Sequence, residues 1–494
     1  LIAAYLRTSE ALYRVIHIPS FYHEYENLWS LGAPKDTAFV IQVKLILAIG
    51  ATVYDDRFTL RPDAIRWVCE AQTWASGPKF KSKLNIQALQ IDILLLIAQE
   101  KVGVHGKSAW VSAGTVMRKA LFMGLHRDPS RLPPKSVFVS EMRRRLWNTL
   151  LELDIHYSFA FGGPALVNMN SFDTEPPANM DDAQLLAGSP IPKSSDISTQ
   201  MSIPLALREA LPVRLAIIQL LNDLHPQQNY EETLRLDANL RTVYKSISRR
   251  LDECSRSGDN TAPTKLPLRI VDVIMNRYLS ALHVPYLVPS RHESSFAYSR
   301  KIALESAVRT WYSLSPVERW SDMKNNDRAS EQSEDMAWPR LATCSSGFYP
   351  ESGVHAALLV ATELIMQIQD DESIGSVLLR PDLLDVLKDV EKFCVHVIEA
   401  GETNIKGSLL LNVVSAYVDC LTSRLGKEKM SAEIIEAVQK TTDICLPLLE
   451  ATLGDDVDVG EATAGASISQ PDGSERMTGD IWYASDMVSV QDPG

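Results

Sequence analysis

The sequence predicts an all-α protein, on three observations. Apolar residues recur at the 3.6-residue period of a helix along most of the chain, as in Met142, Leu146, Leu150, Leu153 and Tyr157 on one face. Alternating β-branched runs joined by hairpin dipeptides, the mark of a major sheet, are not found. Polar breaks separate one periodic stretch from the next.

The elements follow in order. The opening LIAAYLRTSEALYRV reads as part of an amphipathic helix, and Arg7 and Glu10 interrupt the apolar core that a signal peptide needs. Stripes then run through 38–53 and 62–75. The second starts at Arg61-Pro62-Asp63, where proline fits the first turn and the acid faces the positive helix end. Next come 84–100 and 108–123. The first of these holds the most apolar stretch, IQALQIDILLLIA, too short for a membrane span and broken by Asp92. A long helix begins near Ser136. Further stripes cover 205–224, 231–253, 268–284 and 297–313, then 352–369, 380–399, 406–425 and 431–452, the last with Ser431 as N-cap. Segments 188–204, 254–267 and 324–336, rich in Ser, Pro or charge, read as surface connections.

Composition narrows the class. At 45% hydrophobic and 22% charged residues, the 494-residue chain is neither collagenous, mucin-like nor wholly disordered. Its six cysteines, at 69, 254, 344, 394, 420 and 445, are too sparse for a disulfide scaffold and form no C-x-x-C redox or zinc pair, which fits a reducing compartment. The net charge of −13 is uneven, because 451–494 holds nine acids against Arg476 alone. An acidic surface has no general attraction for a phosphate backbone.

Signatures of catalysis are missing. There is no G-x-G-x-x-G, H-E-x-x-H or G-x-S-x-G. Gly103-Val-His-Gly106-Lys107-Ser108 resembles a phosphate loop only at its end, since Lys101 stands where the first glycine belongs. The acid pairs Asp55-Asp56 and Asp181-Asp182 fall at helix ends or loops and read as solvated caps. Catalytic, cofactor-binding and metal residues are therefore not assigned in this chain.

A set of strings remains. Trp110-x-x-x-Gly114 leads into Gly124-Leu125-His126-Arg127-Asp128-Pro129. Then come Glu141-Met142-Arg143-Arg144-Arg145-Leu146-Trp147, Leu153-Asp154, Gly162-Gly163-Pro164-Ala165, Phe172-Asp173 and Pro176-Pro177-Ala178-Asn179. Arg14-Val-Ile-His17-Ile-Pro19-Ser20-Phe21 precedes them, and Tyr278-Leu-Ser-Ala-Leu282-His283 and Glu305-Ser306-Ala307 follow. In this order they resemble the middle homology region of fungal zinc-cluster transcription factors, the fungal-specific transcription factor (xylanolytic activator regulatory) domain, over roughly 10–310.

The resemblance implies a regulatory, non-catalytic helical domain that controls RNA polymerase II transcription in the nucleus. It implies DNA contact through a two-zinc, six-cysteine cluster, which the cysteine gaps here do not fit, so that the cluster is expected in a region upstream of Leu1. Coactivators or mediator, a small-molecule effector and a homodimer are partners consistent with the family, and no membrane is. The rival reading is an all-α enzyme or metabolite-binding protein with a site of scattered polar residues; a third is a scaffold that has lost its DNA reader. The chain divides into 1–315, the regulatory domain; 316–350, a polar linker; 351–450, a helical region continuing the domain; and 451–494, an acidic, disordered tail.

The residues also allow a physical reading. Glu141 and Arg145 make an i, i+4 pair, and Asp154 lies on the mostly apolar face beside Leu150 and Tyr157. A buried acid there needs a cation. The expectation is that Arg127 or one of Arg143, Arg144 and Arg145 pairs with Asp154 and locks two helices, while Asp181 stays in a tolerant loop. A basic patch for an effector or partner is the functional alternative, with direct DNA reading a third. His126, Trp110, Trp147 and Pro164 read as core, cap and turn residues. In the tail, Trp482, Tyr483 and Met487 among acids suit an activation segment that docks on coactivators, or a plain solvated terminus.

Overall fold

A computed structural model describes residues 1–30, 36–77, 84–104, 108–186, 190–224, 230–256, 265–315, 334–370 and 379–453. Every regular element among them is helical. Most of the stripes become helices within a few residues of their expected ends: Thr37–Ala51, Arg61–Ala75, Ile86–Val102, Ala109–Phe122, Val137–Ala160 and Ala297–Leu314. Local chemistry explains the boundaries. Ser136 caps the central helix by accepting the Val139 N–H at 3.3 Å. Pro62 sits in the first turn of Arg61–Ala75 with Asp63 beside it. Gly103 takes φ +81° to close Ile86–Val102.

Three expectations need correction. The last helix starts at Lys427, four residues before Ser431, whose hydroxyl donates back to the Lys427 carbonyl instead of capping. The opening contains three short helices, Ile2–Arg7, Ser9–Tyr13 and Ile18–Asn27, broken where Arg14 adopts a left-handed φ of +51°. Within the stretch read as a linker, Glu334–Cys344 is helical, and Trp338, Leu341 and Cys344 enter the core. Residues 316–333 of that linker and nearly all of the acidic tail lie outside the described residues.

Two apolar cores hold the helices. The larger is built around Ile86–Val102 and Val137–Ala160, with Leu94, Leu146 and Leu150 at its centre, and also takes in Leu314, Trp338, Leu341, Cys344 and Tyr349 from later in the chain. The second joins Ala297–Leu314, Phe348–Asp370 and Pro381–Glu399 around Trp311, Leu364 and Phe393. Between the two, His283 bridges the Asp237 carboxylate at 3.1 Å and the Ser299 hydroxyl at 2.8 Å. Burial would raise Asp237, yet hydrogen bonds from His283 and Tyr298 and the charge of Arg241 leave it below its ordinary range. This resembles a serine–histidine–aspartate relay, but His283 and Ser299 are both fully buried, so the group ties three helices rather than meeting a substrate.

The glycine pair after the central helix has a steric reason. Gly162 takes φ +63°, and a Cβ on Gly163 would stand 2.6 Å from the Trp110 ring. Gly163→Ala is accordingly expected to destabilise the chain by about 1–3 kcal/mol in a urea titration, as overpacking does.

Candidate functional site

The charged strings converge on a buried hub at Asp182. Its Oδ1 accepts from Arg14 and from Arg145, each at 2.5 Å, and its Oδ2 accepts the Ile18 N–H at 2.8 Å. The Asp182 carbonyl meets His17 Nε2 at 3.0 Å, and its N–H donates to Gln200 Oε1 at 2.9 Å. All three charged side chains are at most 3% exposed. Burial would raise Asp182, but the two guanidiniums outweigh it and hold the carboxyl below its ordinary range.

The helix Val137–Ala160 presents its arginines in three directions. Arg145 reaches Asp182, Glu141 at 3.3 Å and the Met180 carbonyl at 3.0 Å. Arg144 makes a two-pronged pair with Asp128 at 2.8 and 2.9 Å, which holds Asp128 well below the usual carboxylate range. Arg143 donates to the carbonyls of Met123 and Gly124, satisfying the end of Ala109–Phe122. Arg127 is exposed, 3.7 Å from Asp173. His126 and Trp147 have ring centres 6.4 Å apart, and Trp147 packs edge-on against Phe172. The Pro164 carbonyl accepts the Ser158 hydroxyl at 3.2 Å.

The expected lock between Asp154 and an arginine is not found among the described residues; Arg145 pairs with Asp182 and Arg144 with Asp128 instead. Asp154 accepts the N–H groups of Leu166 and Val167 at 3.0 and 3.1 Å, pinning the Gly-Pro turn to the helix. It has no arginine partner among the described residues, and burial raises it to about 6 against two opposing backbone bonds. Asp181 is also more than a loop residue. It accepts from Lys193 at 2.7 Å and from the Gln200 N–H at 2.9 Å. Asp154→Ala therefore strands two backbone donors rather than a cation, with an expected loss of about 1–3 kcal/mol. Asp154→Asn keeps an acceptor and should lie closer to wild type. The raised acid also sets a sign for pH. The folded state holds the proton more tightly than the unfolded chain, so ionising Asp154 costs stability as pH rises from 3.8 through about 6. Asp154→Asn should remove that component from a stability–pH profile.

Sequence reasoning missed four members of these networks. Arg14 and His17 stood together in the opening motif, the one signal that could have drawn attention to them. Arg214 and Glu152 form a second buried pair, two-pronged at 2.7 Å on each arm, and had no local signal.

Beside the hub lies a cavity of about 560 Å³ between Ile18–Asn27, Thr37–Ala51, Ile86–Val102 and Val137–Ala160. Of the hub residues, only His17 lines it. Among the described residues, no group of three or more His, Cys, Asp or Glu side chains could hold a metal ion. Nor is any described helix long and apolar enough to cross a membrane.

The fungal specific transcription factor domain model matches residues 2–231. The chain carries a fungal specific transcription factor domain. The match takes in the hub, the Arg-Arg-Arg helix and the Pro-x-Asn loop, whereas the Tyr278–Leu282 and Glu305–Ala307 strings lie past its end. Three relatives are named as transcription factors. Transcription factor opdR of Penicillium oxalicum is 37% identical over 319 residues, covering 62% of this chain and 40% of its own length. Transcription factor lepE of Aspergillus flavus is 34% identical, with 62% and 37% covered. Transcription factor asR3 of Sarocladium schorii is 26% identical over 477 residues, with 90% and 55% covered. The chain thus spans about 37% to 55% of the length of these curated relatives. No solved structure matches it. Of the strings that carry the resemblance, the opening one supplies Arg14 and His17 to the hub and the Arg-Arg-Arg one supplies Arg145.

Proposed function

We propose that these residues form the regulatory part of a fungal transcription factor that acts in the nucleus on RNA polymerase II genes and has no catalytic activity of its own. The observation that carries the reading is the family domain over 2–231, whose charged strings are taken up by internal pairing instead of facing a substrate or a phosphate backbone. DNA contact would come from a zinc cluster outside this chain. The cysteines here do not fit one, because their sequence gaps give no C-x-x-C pair and, among the described residues, no group of three or more His, Cys, Asp or Glu could hold a metal ion. The tail, with Trp482, Tyr483 and Met487, would recruit a coactivator or mediator; it lies outside the described residues.

The test joins 1–494, 1–450 and 451–494 separately to an unrelated DNA-binding domain upstream of a yeast reporter. The expected result is activation by 451–494, its loss when Trp482, Tyr483 and Met487 become alanine, and a changed level when 1–450 is attached. Three inert fusions would overturn the reading. In a mobility-shift assay 1–494 alone should show no sequence-selective DNA binding, and nanomolar selective binding would contradict the placement of the DNA reader elsewhere.

A further inference from the structure

We propose that the cavity beside the Asp182 hub is a binding site for a small basic amphipath, a protonated amine carried on an aromatic body. Its volume of about 560 Å³ lies within the range usual for small-molecule sites. Phe21, Phe39 and Phe138 furnish an aromatic wall, with the first two ring centres 5.6 Å apart, and Leu28 and Met142 extend it. Such a surface suits a flat apolar body.

The polar groups are few and specific. Gln42 lines the cavity, is 5% exposed, and makes no hydrogen bond to any described residue. Its neighbours differ: Gln90 donates to the Val15 carbonyl at 2.7 Å and Gln87 to Asp36 at 3.0 Å. The Gln42 amide is not among the sealed, unpaired polar groups of the described residues, so it stays open to water or to a ligand that hydrogen-bonds it.

Charge selects the ligand further. Among the described residues that line the cavity, the acidic side chains are Glu24 and Asp36, both on its exposed rim, and no lysine or arginine is found. Both His17 ring nitrogens are engaged, Nδ1 with Ser20 Oγ at 2.7 Å and Nε2 with the Asp182 carbonyl. Partial burial and the charge of Asp36 push Glu24 upward, with His23 opposing, and an ammonium between the two acids would relieve that repulsion. A carboxylate or phosphate ligand would meet the two like charges of Glu24 and Asp36. Because His17 touches both cavity and hub, an occupant would also brace the contact of the opening helices with the Asp182 loop.

The test uses a matched pair of probes on the full 494-residue chain. Monodansylcadaverine carries the dansyl fluorophore on a primary ammonium, and dansylglycine carries it on a carboxylate. The expected result is saturable, blue-shifted emission with the amine at least ~10-fold tighter than with the acid, the tenfold that ~1.4 kcal/mol represents. Glu24→Gln should bring the two affinities together, and Gln42→Leu should weaken the amine while urea midpoints show both variants folded. Val139→Trp, from a half-buried position on the cavity wall, should abolish binding by filling the space. Equal affinity for both probes overturns the charge assignment. No binding of either probe to the folded wild type, or binding indifferent to Val139→Trp, overturns the site. The measurement involves no reporter gene, so its outcome is separate from that of the transcriptional reading.

Discussion

Asp182→Ala is expected to lose about 3–5 kcal/mol or more of stability in a urea titration, as breaking a buried ion pair does. The reason is that one carboxylate serves two buried cations. Its removal leaves Arg14 with Gln200 at 3.4 Å and no carboxylate among the described residues, and deprives Arg145 of its shortest partner, leaving Glu141 at 3.3 Å and the Met180 carbonyl at 3.0 Å. It also frees the Ile18 N–H that opens the helix Ile18–Asn27. Asp182→Asn separates charge from shape: it preserves an acceptor for Ile18 but should recover only a minor part of the loss. A pH series gives the sign. Asp182 is depressed in the folded state, so its contribution is fully present above its ordinary value of 3.8 and falls away as pH drops below it. Wild type should lose stability on acidification more steeply than Asp182→Asn. A loss under 1 kcal/mol in Asp182→Ala would mean that the arginines find water and the hub is not closed.

The second large effect belongs to Glu152 and Arg214, which join Val137–Ala160 to Ser202–Leu221. Arg214 is 1% exposed and also donates to the Leu207 carbonyl at 2.7 Å. Glu152→Ala leaves that guanidinium buried with a single neutral acceptor and should cost about 3–5 kcal/mol. The double change Glu152→Leu with Arg214→Met behaves otherwise, because two apolar side chains need no partner in an apolar site. It should restore most of the stability lost in either single change, a coupling that a double-mutant cycle reads directly. Additive losses would show that the two side chains are independent, contrary to their geometry.

Helix positions were legible in the sequence because period and caps are local. The stripe from Met142 to Tyr157 and the start at Ser136 both follow from neighbours within a turn or two. Long-range pairing was not legible. The face assigned to Asp154 was right and its burial was foreseen, yet a carboxylate can be satisfied by backbone N–H groups as well as by a cation. Nothing in the spacing distinguishes the two. Asp182 reads as a solvated cap because it stands beside Asp181 in a loop, and only the return of that loop onto Arg14 and Arg145 buries it. The short opening helices escaped for a different reason. Each spans ten residues or fewer, too little for periodicity to stand out, and their order depends on the packing of Glu10, Arg14 and His17. The cavity, bounded by four helices distant in sequence, left no trace in any one of them.

The hub has a consequence for synthesis on the ribosome. Arg14 and Asp182 are separated by 168 residues, so the first leaves the exit tunnel long before the second exists. At ordinary elongation rates of ~5–20 residues per second, the gap lasts roughly 10–30 s. Throughout it, the nascent chain holds an arginine whose native carboxylate has not been made, and the opening helices cannot settle on the central one. Their native docking is thus deferred until the Pro-x-Asn loop emerges, which makes translation of residue 182 the earliest moment at which the amino-terminal half can close.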